Sequence, residues 1–361
     1  MKDFYIADAA RWENQMVTSF FCLTSISQRD RKGGQYLALT LADKTGQFEA
    51  RMWEEFAEAL KSCACGCYVK VQGQISKYQG KYQITISKMR SADDMEIDTA
   101  DFIPTTEFDV PSMLAELRGY VGEFSNRHLR ALVLSFLDDT AIGKDFVEAP
   151  AAKRLHHAWL GGLLEHVVGL VRVCRAVAPL YAEVDNDLLV TGAILHDIGK
   201  VRELSWRSSF EYTLEGQLIG HISIGQDMLR AKIAELDAAA VAASSAAARP
   251  PQPEGTEGGL EAEQGQGQPD LFPDKLRLLV EHMILGHHGK LEFGSPKLPM
   301  TPEALMLSAL DDLDAKFHIM REQFKAAKAA GRSANELTDW VRAMDRPLFN
   351  SKAYLADEGE S

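Results

Sequence analysis

The sequence has no run of about 18 apolar residues of the kind that spans a bilayer. Its start, MKDFYIADAARWENQ, has neither the basic opening nor the apolar stretch of a secretory signal. A cytoplasmic protein with no membrane partner is therefore expected. Cysteine is scarce: Cys22, Cys63, Cys65, Cys67 and Cys174 are an odd number in a long chain, unlike a secreted disulfide framework. Three of them alternate in SCACGCYVKV without the paired spacing or fourth ligand of a structural zinc site, so reduced thiols are expected there. Positive charge is also in short supply. A formal net charge of −13 argues against a protein that coats nucleic acid through bulk charge. The deficit is uneven, however. Residues 1–92 hold 13 Lys and Arg against 9 Asp and Glu, a balance of +4, and the remainder holds 26 against 43, a balance of −17. Only the first part is suited to a polyanion.

What is present is 361 residues of ordinary globular composition, 46% hydrophobic, enough for two domains. From about residue 17 to 90 the runs VTSFFCLTSI, QYLALTLAD, FEARMW, YVKVQGQI and KYQITISK read as short strands, separated by turn signals such as Lys44-Thr45-Gly46 and Gln79-Gly80-Lys81. EEFAEALKSC between the third and fourth reads as a short amphipathic helix. Three strands, a helix and two strands is the order of an OB-fold, a five-stranded barrel often used for single-stranded nucleic acid. Tyr36, Arg51, Lys77, Tyr78 and Tyr82 are candidate nucleic-acid contacts, because aromatic platforms beside cations hold single strands without regard to sequence. Phe48 and Trp53 are expected in the barrel core, whereas Tyr36, Tyr78 and Tyr82 fit core and surface equally.

Residues 93–112, acidic and carrying two prolines, read as a linker between an OB-type domain at 1–92 and a helical domain at 113–350. Helix-period apolar positions run through 113–137, 163–182, 186–196, 217–235, 274–286 and 302–328. An all-α second domain is predicted. Residues 238–270 lack aromatics and are rich in Ala, Gly, Pro, Gln and Glu, which predicts a disordered insertion. The end of the chain, 351–361, is expected to fray.

The chemistry-bearing residues lie in the helical part. His166 shares the apolar stripe of LLEHVVGLVRVC, and DLLVTGAILHDIGK ends an apolar helix on His196-Asp197, followed by Lys200. His221, His287, His288, Asp311 and Asp314 come later, with the two aspartates three apart on one helix face. Imidazoles and carboxylates converging from several helices are what a divalent transition metal in a bundle requires. A lone histidine on an apolar face is usually a core residue, but so many together argue for a metal site.

With these motifs the chain resembles the HD phosphohydrolase superfamily. Through its barrel and the stretches HHAWLGGLLEH, ILHDIGK, EGQLIGHI and GHHGKLEFGSPKLP, it is similar to the YhaM-type 3′–5′ exoribonucleases. The resemblance implies a multidomain architecture, a small all-β OB-fold barrel followed by an all-α HD-type helical domain. It implies His166, His196, Asp197 and Asp311 as primary metal ligands, with His221, His287 and His288 around a second ion. One or two ions stay open, because the position one turn before His166, acidic in some two-metal relatives, is Gly162. Manganese is the first candidate, ahead of Fe²⁺, Co²⁺ and Mg²⁺. Asp197 would bridge the ions, and Lys200 would steady the phosphate or simply cap its helix. Arg154 and His156 would bind substrate phosphate, and His157 would assist the leaving oxygen.

The expected reaction is hydrolysis of phosphodiester bonds in single-stranded RNA, or DNA, by metal-activated water. Two alternatives remain open on the sequence: an HD enzyme acting on a small or cyclic nucleotide, and a single-strand binder with a degenerate helical domain. A homo-oligomer would suit a processive nuclease, with residues 334–349 as a candidate contact and packing on their own domain the simpler use.

Overall fold

The computed structural model describes residues 2–31, 34–98, 101–153, 159–206, 210–247 and 268–356. The chain divides into two compact units. One comprises the N-terminal residues through Val110 together with the described parts of Glu148–Leu163 and Leu204–Thr213; the other takes Pro111–Val147, Leu164–Glu203 and the described residues from Leu214 onward.

The first unit is built on a closed barrel of five strands: β1 (Met16–Arg31), β2 (Gly34–Asp43), β3 (Gly46–Met52), β4 (Tyr68–Tyr78) and β5 (Lys81–Ser91), with the helix α1 (Ala57–Ser62) between β3 and β4. The strand order is β1-β2-β3-β5-β4, closed by β4 pairing antiparallel with β1, and the β3–β5 contact is parallel. Alternation decides which side chains fill it. Leu37, Leu39 and Leu41 on β2, Phe48, Ala50 and Met52 on β3, and Val69, Val71 and Ile75 on β4 are all buried at two-residue spacing. The β4–β5 hairpin turns on Gln79 and Gly80, both with positive φ (47° and 81°), the combination a two-residue type I′ turn needs.

The stretch 93–112, expected to be a linker, is partly packed. Phe102 and Ile103 are buried with Cys22 and Ala42, and Leu160 and Phe210 pack against them. A two-residue ladder, β6 (Leu204–Ser205) with β7 (Glu211–Tyr212), belongs to the same unit.

The second unit is helical. Its described helices are α2 (Val110–Gly122), α3 (Arg127–Leu137), α4 (Ile142–Glu148), α5 (Gly162–Val177), α6 (Asn186–Leu195), α7 (Lys200–Glu203), α8 (Leu214–Leu218), α9 (His221–Ala247), α10 (Asp274–Gly286), α11 (Pro302–Ala329) and α12 (Ser351–Ala356). At its centre is α6, buried from Asp187 to Leu195 and packed on α3, α10 and α11. Its start is set by Asp185, whose side chain accepts from Leu188 N–H at 2.9 Å, an N-cap. A helix apolar all round can lie only in an interior, and the residues just past its last turn are delivered there too.

Two differences from the sequence reading concern this unit. α9 continues to Ala247, ten residues into the stretch expected to be an insertion, because AAAVAASSAA combines poor burial with the strongest helix former and extends an existing helix at little cost. Residues 248–267 of that stretch lie outside the described residues. Residues 351–356, expected to fray, form α12. Among the described residues no helix is long and apolar enough to cross a membrane.

Candidate metal centre and nucleic-acid face

The turn after α6 carries His196 and Asp197, and Asp197 faces two groups of histidines at once. On one side, His166 Nε2 from α5 lies 3.4 Å from His196 Nε2, and Asp311 Oδ1 from α11 lies 3.2 Å from His166 Nε2. Asp197 Oδ2 is 3.2 Å from His196 Nε2 and 3.9 Å from His166 Nε2. On the other side, Asp197 Oδ1 is 3.5 Å from His221 Nε2, at the start of α9, and 3.7 Å from His287 Nε2, just past α10. His221, His287 and His288 form one compact set of ligand atoms, and His166, His196 and Asp197 another. All seven residues expected as metal ligands are thus brought together.

The orientation of the five imidazoles is the most informative feature. In each, Nδ1 is spoken for. His196 Nδ1 donates to Ala193 O at 3.0 Å, His287 Nδ1 to Ile284 O at 2.8 Å, and His288 Nδ1 to Phe293 O at 2.9 Å. His221 Nδ1 meets Glu203 Oε1 at 2.9 Å and His166 Nδ1 meets Asp314 Oδ2 at 3.1 Å. A carbonyl can only accept, so at least three of these rings carry the proton on Nδ1 and offer an Nε2 lone pair. Outer hydrogen bonds of this kind fix ligand histidines at metals.

The residues pass a further test of fit to a cation. Asp197 Oδ1, His221 Nε2 and His287 Nε2 are buried with no hydrogen-bond partner. An unsatisfied buried polar atom costs about 1–3 kcal/mol, and three that face one another are satisfied together by one positive ion. Burial and the neighbouring His196 hold His287 well below the usual imidazole range, and burial with His221 lowers His288, so both stay neutral and ligand-ready. His166 differs: burial opposes its charge, but Asp311 and Asp314 outweigh that and raise it to about 10. There a proton holds the place a cation would take, so uptake of metal releases it.

Lys200 opens α7 with Nζ 2.7 Å from Asp197 Oδ2. Burial disfavours its ammonium, but Asp197 more than compensates and keeps it charged. Its charge is turned toward the carboxylate. Arg154, His156 and His157 lie outside the described residues. Two supporting residues come from different signals. Asp314 shares a face with Asp311, as its spacing predicts, whereas Glu203 was missed: it also accepts from the His221 backbone N–H at 2.9 Å, and no spacing rule marks it.

On the barrel, Tyr36 and Trp53 stack with centroids 4.7 Å apart, and the Arg31 guanidinium lies 4.9 Å over the Trp53 ring. Arg51 sits 5.4 Å over Tyr78, which is about half exposed, and Lys77 sits 5.2 Å over Tyr82. Trp53 was expected in the core and is not there. Phe48, Ala50 and Met52 face inward, so residue 53 continues the outward parity of Glu49 and Arg51. Tyr82 packs against the core edge, in step with Ile84 and Ile86. Phe48 is in the core, as expected.

Comparison with known proteins agrees with this division. Residues 23–92 match the family described as OB-fold nucleic acid binding domain, and residues 163–271 match the HD domain family. Three solved structures resemble a part of the chain. A chain of a replication protein A heterotrimer bound to ssDNA is 27% identical over 22% of this chain and 60% of its own, with a TM-score of 0.19. The second OB-fold domain of replication protein A from Methanococcus maripaludis is 20% identical over 25% of this chain and 95% of its own, with a TM-score of 0.21. The p204 HINb domain is 12% identical over 25% of this chain and 46% of its own, with a TM-score of 0.21. The chain therefore carries an OB-fold domain followed by an HD domain, an order consistent with YhaM-like architecture. The HD domain is that of a metal-dependent phosphohydrolase superfamily.

Proposed function

We propose that this protein is a divalent-metal-dependent exonuclease that hydrolyses phosphodiester bonds of single-stranded RNA, with single-stranded DNA as a second substrate, in the 3′ to 5′ direction of the YhaM-type enzymes it resembles. The observation that carries the reading is the position of Asp197, which offers one oxygen to each histidine group. His166, His196, Asp197 and Asp311 would hold one ion, and His221, His287 and His288 with Asp197 a second; Mn²⁺ suits this mixed set. Such ions lower the pKa of bound water and neutralise phosphoryl oxygens.

The rest is the work of the chain's own groups. Glu203 and Asp314 hold His221 and His166 in register, and the carbonyls of Ala193, Ile284 and Phe293 do the same for the other three rings. Lys200, paired with Asp197, would be available to a phosphate oxygen if that carboxylate held a metal. Tyr36, Trp53, Arg31, Arg51 and Tyr78 supply the stacking and charge that retain a single strand through successive cuts.

The test is digestion of end-labelled single-stranded and duplex oligonucleotides with the metal varied, alongside His196→Ala and Asp197→Ala. Stepwise shortening of the single strand from its 3′ end, dependent on metal and lost in both variants, is expected. An intact oligonucleotide, with turnover of cyclic or simple nucleotides instead, would overturn the reading in favour of a small substrate.

A further inference from the structure

The loop that succeeds His288 holds a large aromatic side chain in solvent. Phe293 is 57% exposed, yet its backbone is tied down at each step. Gly289 N–H donates to Gly286 O at 2.9 Å, Phe293 N–H to Lys290 O at 3.1 Å, Gly294 N–H to Leu291 O at 3.0 Å and Ser295 N–H to Lys290 O at 3.2 Å. The buried Ser295 bonds through its hydroxyl to Leu285 O and Lys297 O. Gly289 and Gly294 both have positive φ, and a Cβ at Gly289 would lie 2.3 Å from Ser308 Oγ. This is a fixed bracket rather than a loose surface segment.

The bracket is joined directly to the metal centre, since Phe293 O is the acceptor for His288 Nδ1–H at 2.9 Å. A carbonyl oxygen lies roughly 2.4 Å from its own Cα, so the Phe293 side chain starts one residue's breadth from a cluster imidazole. Over its ring, 5.0 Å from the centroid, sits the ammonium of Lys290, itself 62% exposed and 3.5 Å from the exposed Glu292 carboxylate, a weak surface pair that a phosphate can displace. Leaving a phenylalanine largely in water forgoes the gain from burying it, and a rigid loop that does so presents the ring to something else. A flat apolar face with a cation beside it matches the two parts of a nucleotide, a base that stacks and a phosphate that pairs.

We propose that Phe293 and Lys290 form the seat for the nucleotide next to the scissile phosphodiester, with its base stacked on Phe293 and its phosphate against Lys290. The site would then favour phosphodiesters that carry a nucleobase at that position. This rests on the nuclease reading above and names the substrate contact within it.

The test uses the full chain with Phe293→Ala, Phe293→Trp and Lys290→Gln. Two substrates are compared, a single-stranded oligonucleotide and the same strand with an abasic residue at the cleaved position, and the metal content of each variant is measured. Phe293→Ala is expected to raise KM for the normal strand about 5- to 150-fold, with kcat little changed and metal content unchanged, and Phe293→Trp to restore it. On the abasic strand, wild type and Phe293→Ala should have the same KM. Lys290→Gln should raise KM on both strands. An equal loss on both strands for Phe293→Ala, an unchanged KM, or a loss of bound metal overturns the seat. If wild-type protein cleaves neither strand, the nuclease reading fails on its own. The seat is then judged by fluorescence of a terminal 2-aminopurine: quenching by wild type but not by Phe293→Ala upholds it, and equal quenching overturns it.

Discussion

Gly199, two residues past Asp197, sets how closely the start of α9 approaches the His-Asp turn, and replacing it with alanine perturbs one side of the centre selectively. A methyl carbon there would lie 2.0 Å from His221 O and 2.7 Å from Gly225 N, both backbone atoms. Ordinary contact is roughly 3.5 Å, so the start of α9 must retreat by about 1.5 Å, carrying the His221 backbone with it. Metal–nitrogen distances tolerate only about 0.2 Å, so a shift of that size removes His221 from any shared coordination with Asp197 while leaving His166, His196 and Asp311 in place. Forcing a methyl into a filled interior costs about 1–3 kcal/mol, or a fall in Tm of about 2–12 °C for a unit of this size. Calorimetry with elemental analysis of the dialysed protein measures both. The expected result for Gly199→Ala is a lower Tm, loss of the metal held on the His221 side, and at least ~100-fold lower turnover. Full metal content with an unchanged Tm would refute the reasoning, because a backbone contact at 2.0 Å cannot be relieved by side-chain rotation.

Other expectations come from the same geometry. Asp197→Asn leaves the buried Lys200 ammonium without its counter-charge, so the metal-free variant should lose about 3–5 kcal/mol in urea unfolding, and adding Lys200→Met should recover part of it; no recovery would mean the pair is not the source of the loss. Trp53→Ala should weaken single-strand binding about 5- to 150-fold in anisotropy titrations at fixed salt without lowering the barrel's Tm, whereas Phe48→Ala should lower Tm, because only Phe48 is in the core. The carboxyl of Asp139 is lowered to about 2, first by the Lys232 ammonium at 2.7 Å and then by the Ile142 backbone N–H. A folded-state value below the unfolded ~3.9 gives stability that is full above about pH 4 and fades as pH falls toward 2. Asp139→Asn should therefore be less stable than wild type at pH 7 and converge with it near pH 2 in acid unfolding.

Much of the architecture was legible in the sequence because alternation and helical period are local. The five strands, the helix between the third and fourth, and the His196-Asp197 turn at the end of an apolar helix needed only short windows. Trp53 was legible too, had its parity with Glu49 and Arg51 been weighed above the usual burial of tryptophan. Other features were not available locally. Glu203 orients His221 across 18 residues, and a glutamate in KVRE looks like any surface acid. The extension of α9 to Ala247 turns on helix propensity, which a burial argument alone leaves out. The packing of Phe102 and Ile103 depends on Leu160 and Phe210, far along the chain, so their stretch reads as a linker when taken alone.

The partners of His166 have a consequence for the protein's synthesis. Its Nδ1 contact is with Asp314, 148 residues further along the chain. At the ~5–20 residues per second of ribosomal synthesis, α11 emerges about 7–30 s after α5. Through that interval the five strands of the barrel, complete by Ser91, are already available to pair. The His166 side of the centre lacks both its aspartates from α11. On the proposed function, a nascent chain would bind a single strand before it could hydrolyse one, and the transcript being translated would meet a centre that cannot yet cut it.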